Sequence, residues 1–219
     1  MSRKSSKPAV QDTQTKEAAD ALFSLGLKWH LSGGVDNAKT IYQQVLASYP
    51  RHFDALHMLG VLALQTQDPA SAERLIGKAI QIDPLQAAAY SNRGNALQVL
   101  GRLDEAVISF RDAISLKPDY VEAHCNLGNA LKDLGQFSEA ESAYAAALVI
   151  KPDFPQTHYN RAVVLEDLGR VDEAITAYQS ALIHNSDYAE AHSNFGNALR
   201  ELNQLDAAIA SYHRALSLK

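Results

Sequence analysis

VEAHCNLGNALKDLGQFSEAESAYAAALVIKPDF, residues 121–154, meets relatives of itself at a step of 34 residues in both directions along the chain. A fixed period of this length marks a repeat architecture, in which each unit buries its apolar face only by stacking on the next. Counting Val121 as position 1, six consecutive units fit without insertion or deletion: 19–52, 53–86, 87–120, 121–154, 155–188 and 189–219.

The repeated positions say what each unit is. Position 8 reads Gly26, Gly60, Gly94, Gly128, Ala162 and Gly196, and position 20 is alanine in all six units, from Ala38 to Ala208. Position 24 is the bulky counterpart: Tyr42, Ile76, Phe110, Tyr144, Tyr178 and Tyr212. Small and large residues recurring together describe helices in close approach. Apolar residues in each half follow a helical rather than an alternating period, so each unit is predicted to hold two helices, at about positions 2–14 and 18–31. Gly33, Gly101, Gly135, Gly169 and Asn203 fall in the turn and suit a left-handed helix end. Asp36, Asp104, Ser138, Asp172 and Asp206 are predicted to cap the second helix, with Ser138 and Glu141 forming a capping box. Pro50, Pro84, Pro118 and Pro152 close the units, and Asp119, Asp153 and Asp187 are placed to cap the next first helix.

These residues resemble the tetratricopeptide repeat, a 34-residue helix–turn–helix unit, over residues 19–219. The resemblance implies an all-α, right-handed superhelical solenoid of six repeats whose first helices line a concave face. Two departures stand out. Arg93 and Arg161 occupy the usual leucine place at position 7, and each is expected to lay its stem along the interface with its head in water. Ser186 replaces the closing proline, which is expected to soften that junction.

Composition narrows the function classes. The net charge is −5; residues 1–18 carry a net +2, so the repeats hold −7, against a nucleic-acid binder. Residues 1–18 are expected to form a disordered basic leader without the apolar stretch of a secretory signal. No apolar run has bilayer-spanning length, so no membrane partner is expected. Cys125 is the single cysteine, which precludes an intrachain disulfide and fits a reducing, cytoplasmic setting. The last helix is expected to leave some of Ile209, Tyr212, Leu216 and Leu218 uncovered, suggesting a fragment of a longer protein or self-association at this end.

The sharpest candidate site is position 6: Asn92, Asn126, Asn160 and Asn194, joined by Asn95, Asn129 and Asn197 one helical turn on. A primary amide donates and accepts at once, so a row of them can pair with the backbone of an extended peptide whatever its side chains. The competing use of the same residues is hydrogen bonding between neighbouring helices. The runs AHCNLGNAL and AHSNFGNAL look like the repeats of the O-linked N-acetylglucosamine transferases, a resemblance that implies peptide gripping by the position-6 asparagines. That family's glycosyltransferase domain has no counterpart here.

Other chemistries are disfavoured. His124, His158 and His192 recur at position 4, but adjacent packed helices lie ~8–10 Å apart and zinc bonds are ~2 Å, so they are expected to pack at interfaces. Cys125 lacks a local catalytic signature. A carboxylate clamp for acidic tails needs cations at positions 2 and 5, where this chain carries Asp20, Asp54, Glu122 and Glu190, and Phe23, His57, Cys125 and Tyr159. The expectation is a non-enzymatic protein-interaction module that needs no cofactor or metal, with the substrate-recruiting arm of a larger enzyme and a self-assembling scaffold as alternatives.

Overall fold

The computed structural model describes residues 7–218, with side chains from residue 13. Among the described residues all regular structure is α-helical. They fall into two compact units, the chain dividing after Gly101. The first holds α1 (Lys7–Leu31), α2 (Val35–Ser48), α3 (Phe53–Gln65), α4 (Pro69–Ile82) and α5 (Ala87–Val99). The second holds α6 (Leu103–Leu116), α7 (Val121–Asp133), α8 (Phe137–Ile150), α9 (Pro155–Asp167), α10 (Val171–His184), α11 (Ala189–Glu201) and α12 (Leu205–Ser217). Within each unit, consecutive helices pack antiparallel as hairpins, and first helices also touch across repeats, α3 on α5, α7 on α9 and α9 on α11.

The small and large positions mesh as the pattern demands. Ala140, Tyr144, Ala147 and Leu148 of α8 are buried, as are Ala174, Ala177, Tyr178 and Ala181 of α10. A methyl group on Gly128 would stand 2.5 Å from Cε1 of Tyr144, and one on Gly196 would stand 2.6 Å from Cε1 of Tyr212. The glycines are spaces for the rings.

The turn residues take the expected left-handed backbone, with φ +81° at Gly33, +72° at Gly101, +73° at Gly135, +72° at Gly169 and +58° at Asn203. In the second repeat Gln67 takes that place at φ +60°, a conformation that costs a side-chain-bearing residue about 1 kcal/mol.

Helix starts differ from expectation. Second helices begin at the apolar residue of position 17 (Val35, Leu103, Phe137, Val171, Leu205), so Asp36, Asp104, Ser138, Asp172 and Asp206 stand one residue inside the helix. None of these five helices has a side-chain cap, and the Ser138–Glu141 box does not form. Packing decides the start: Val35 and Val171 lie against the apolar clusters around Tyr42 and Tyr178 and so must enter the helix. The acids still face the positive helix end from its first turn. First helices α7, α9 and α11 likewise start after Tyr120, Phe154 and Tyr188, without a side-chain cap from Asp119, Asp153 or Asp187. True caps occur in the first unit, where Asp68 accepts from Ser71 N–H at 3.0 Å and His52 Nδ1 accepts from Ala55 N–H at 3.2 Å.

Residues 7–18, expected to lack structure, continue α1 toward the N-terminus. The run TQTKEA at 13–18 contains good helix formers and no glycine or proline, so the first repeat's helix propagates into it. Residues 1–6 lie outside the described residues. On α12 and at its C-cap, Ile209 is 53% and Leu216 68% exposed, while Tyr212 and the capping Leu218 are half-buried.

Two interface details revise the sequence reading. Arg93 donates Nε and Nη2 to Glu73 Oε1 at 3.2 and 3.0 Å, and Arg161 donates the same pair to Glu141 Oε1 at 2.9 and 2.7 Å. Both heads are therefore bound across the repeat interface rather than left in water. His124, His158 and His192 each donate Nε2–H to a carbonyl six residues earlier, on Pro118, Pro152 and Ser186, at 2.8–2.9 Å. They clip the junction loops, and Ser186 accepts the same bond as its proline counterparts.

Candidate peptide-binding face

The candidate residues lie on first helices: Asn92 and Asn95 on α5, Asn126 and Asn129 on α7, Asn160 on α9, and Asn194 and Asn197 on α11. All are half-buried except Asn197, which is exposed. Position 6 is held partly out of water because its flanks, positions 3 and 10, are buried (Ala123 and Ala130, Thr157 and Val164, Ala191 and Ala198).

In the second unit the amides belong to a polar chain. Tyr144 Oη donates to Asn129 Oδ1 at 2.7 Å, and Asn160 Nδ2 donates to that same oxygen at 3.0 Å. Asn160 Oδ1 accepts from Gln156 Nε2 at 3.0 Å, and Gln156 Oε1 accepts from Tyr188 Oη at 2.8 Å. Five side chains are thus linked across two repeats. The position-6 amide bridges to position 9 of the preceding repeat, which is the helix-to-helix use of these residues. An amide has two N–H groups and two acceptor lone pairs, and at Asn160 these bonds engage one of each.

The next step breaks the pattern for a visible reason. Position 9 of the fifth repeat is Val163, which can neither accept from Asn194 nor receive the hydroxyl of Tyr178. Asn194 Nδ2 instead donates to Tyr159 Oη at 3.0 Å, and Tyr178 donates its hydroxyl to Glu166, one turn beyond Val163. Burial raises the Glu166 carboxyl above its ordinary range; the Tyr178 hydroxyl opposes that, and nearby Glu201 and Asp167 add to it. The sixth repeat returns to the pattern, with Tyr212 Oη donating to Asn197 Oδ1 at 2.9 Å. In the first unit Asn92 Nδ2 lies 3.0 Å from His57 Nε2.

Tyr159, Tyr178 and Tyr188 form an aromatic group beside Asn194, with Tyr159 ring centroids 4.9 Å from Tyr188 and 6.0 Å from Tyr178. Burial lifts the Tyr188 phenol to about 12. Cys125 Sγ meets the buried Thr157 Oγ1 at 3.1 Å, and burial pushes its thiol up, away from nucleophile chemistry. Among the described residues no group of three or more His, Cys, Asp or Glu could hold a metal, and no helix is long and apolar enough to cross a membrane.

Gln156 and the tyrosines were missed as partners of the amides, and Glu166 as the partner of Tyr178. The signal was present: wherever position 24 of the last three repeats is tyrosine, position 9 or 12 of the same repeat offers a polar acceptor.

Paired helices with a polar, half-buried row on the first helices α5, α7, α9 and α11 define a helical-repeat interaction protein. Tetratricopeptide repeat models match residues 32–95, 87–107, 125–190 and 189–219, and a TPR repeat model matches 99–135. The chain belongs to the tetratricopeptide repeat proteins. It is 32% identical over 111 residues to protein adenylyltransferase Fic of Drosophila grimshawi, covering 48% of this chain and 23% of that protein. It is 27% identical over 115 residues to human tetratricopeptide repeat protein 7B, covering 49% of this chain and 14% of that one. The matched stretch spans less than a quarter of either relative. Among solved structures, MamA is 27% identical, with a TM-score of 0.71 over 75% of this chain and 96% of that one. The Pseudomonas aeruginosa pilF product (22%, TM-score 0.77, 90% of each chain) and YrrB, described as a TPR protein with an unusual peptide-binding site (18%, TM-score 0.70, 81% and 92%), share the fold.

Proposed function

We propose that the first-helix face of the second unit binds an extended segment of a partner protein through main-chain hydrogen bonds to Asn126, Asn160 and Asn194, with Asn129 and Asn197 beside them. Asn92 and Asn95 offer the same group in the first unit. The observation that carries this reading is the state of Asn160. Its amide is fixed by Asn129 and Gln156, half-exposed, and still has one N–H and one lone pair to give. Such an amide is oriented before a ligand arrives, which lowers the ordering cost of binding. The likeness of AHCNLGNAL to the repeats of O-linked N-acetylglucosamine transferases supports the same use.

The test is titration with an uncharged Gly/Ser nonapeptide, about 30 Å when extended and so long enough for three first helices. Asn126→Ala/Asn160→Ala is expected to weaken binding about tenfold, the value of one or two lost hydrogen bonds.

The alternative of a recruiting arm in a larger enzyme draws on the Fic alignment, in which the matched stretch is a minor part of a named enzyme. A native transcript that encodes a catalytic domain in frame with these repeats would support it, and one that does not would remove it.

A further inference from the structure

Each first helix of the second unit is entered through an aromatic residue at position 34 of the preceding repeat: Tyr120, Phe154 and Tyr188. At two of these junctions the chain places an ammonium over the ring. Lys117 Nζ is 5.0 Å from the Tyr120 centroid, and Lys151 Nζ is 4.8 Å from that of Phe154. The sequence repeats accordingly, as KPDY and KPDF, but at the next junction it reads NSDY. Asn185 stands where the lysine belongs and brings no charge to Tyr188.

The surroundings of Tyr188 favour a cation. Its ring packs at 4.9 Å against Tyr159, and its hydroxyl is tied to Gln156 Oε1 at 2.8 Å, so the ring is held in place. Glu190 lies in the first turn of α11, exposed, with no ion-pair partner among the described residues. Its charge reaches both phenols, adding to the burial that raises them. The nearby cation Arg214 is engaged by Asp187 at 2.6 Å. A ring face attracts ammonium or guanidinium, and a carboxylate alongside adds to that attraction.

We propose that Tyr188, with Glu190 beside it, takes the lysine or arginine side chain of the bound segment, at the place the chain's own lysines fill over Tyr120 and Phe154. This rests on the peptide-binding reading and adds a side-chain preference to it: the partner carries a basic residue that docks at the junction between the fifth and sixth repeats.

The test uses two Gly/Ser nonapeptides, one with a central arginine and one with a central glutamine, titrated by calorimetry. The native protein is expected to prefer the arginine peptide by about five- to tenfold. Asn185→Lys returns the missing lysine and is expected to abolish the preference, while Gln179→Lys, the same charge change at an exposed position of α10, keeps it. Tyr188→Phe, which retains the ring, is expected to keep most of the preference, and Glu190→Gln to reduce it. Equal affinity of the native protein for both peptides, or a preference that survives Asn185→Lys, would overturn the inference while leaving main-chain binding intact. Binding of neither peptide would overturn the groove reading itself, and this inference with it.

Discussion

Arg161 closes on Glu141 across the interface between the fourth and fifth repeats, giving Nε and Nη2 to one carboxylate oxygen at 2.9 and 2.7 Å. The two residues are 20 apart, and every pair at that spacing from the second repeat onward is matched in kind: Glu73 with Arg93, Val107 with Leu127, Glu141 with Arg161, Ile175 with Phe195. Ile175 and Phe195 pack on one apolar cluster, so the same place is filled by either chemistry. With side chains 29% and 14% exposed, the ion pair is mostly withdrawn from water. Arg161→Leu, which leaves Glu141 unpaired, is expected to lose about 1–3 kcal/mol in urea unfolding. Glu141→Ile/Arg161→Phe is expected to recover most of it. A double variant as unstable as the single one would show that the pair does not act as a unit.

Gly128 leaves no room for a methyl against the fully buried Tyr144 ring. Gly128→Ala is expected to cost about 1–3 kcal/mol despite its better helix propensity, because the ring must shift and its hydroxyl must leave Asn129. Thermal unfolding followed by circular dichroism measures this, and an unchanged or raised Tm would refute the tight fit.

Glu166 gives a pH signature. Its folded pKa is raised above the ordinary 4.5, chiefly by burial. The folded state therefore binds more protons than the unfolded chain between 4.5 and the raised value, and its stability falls as pH climbs through that window. Glu166→Gln keeps an acceptor for Tyr178 without the charge. It is expected to raise Tm at pH 7 and change little at pH 4. A variant less stable than the parent at pH 7 would contradict the assignment.

Cys125 is expected to react with a disulfide reagent at pH 8 more slowly than free cysteine, because burial raises its pKa and less thiolate is present. A rate above that of the free thiol would mark a reactive site.

Much of this was legible in residues 121–154. The helix pairs follow from the spacing of Gly128, Ala140 and Tyr144, since close packing needs small and large residues at fixed places. The left-handed turns follow from Gly135 and its equivalents, because few residues take positive φ. The asparagine row was legible as a row, but its bonds were not: Asn160 meets Asn129, 31 residues away, only once their two helices are stacked. The caps were misjudged because Asp104 and Asp172 have the right chemistry, and the apolar residue before each claims the first helical position for packing. The Glu141–Arg161 pair was readable from matched spacing. It was missed because each arginine was judged alone against the usual leucine.

Asn126 and Asn160 are proposed to hold a ligand as well as the stack, and comparing two variants separates the two roles. Arg161→Leu weakens the stack alone, while Asn126→Ala/Asn160→Ala removes amides that contact neighbouring side chains and are proposed to contact a ligand. Calorimetric titration of the glutamine-centred nonapeptide, well below both melting temperatures, is expected to show native affinity for Arg161→Leu and about tenfold weaker binding for the asparagine variant. Native affinity in the asparagine variant, or losses in both variants that track their melting temperatures, would rule out ligand binding by these amides and leave the asparagines as stacking residues only.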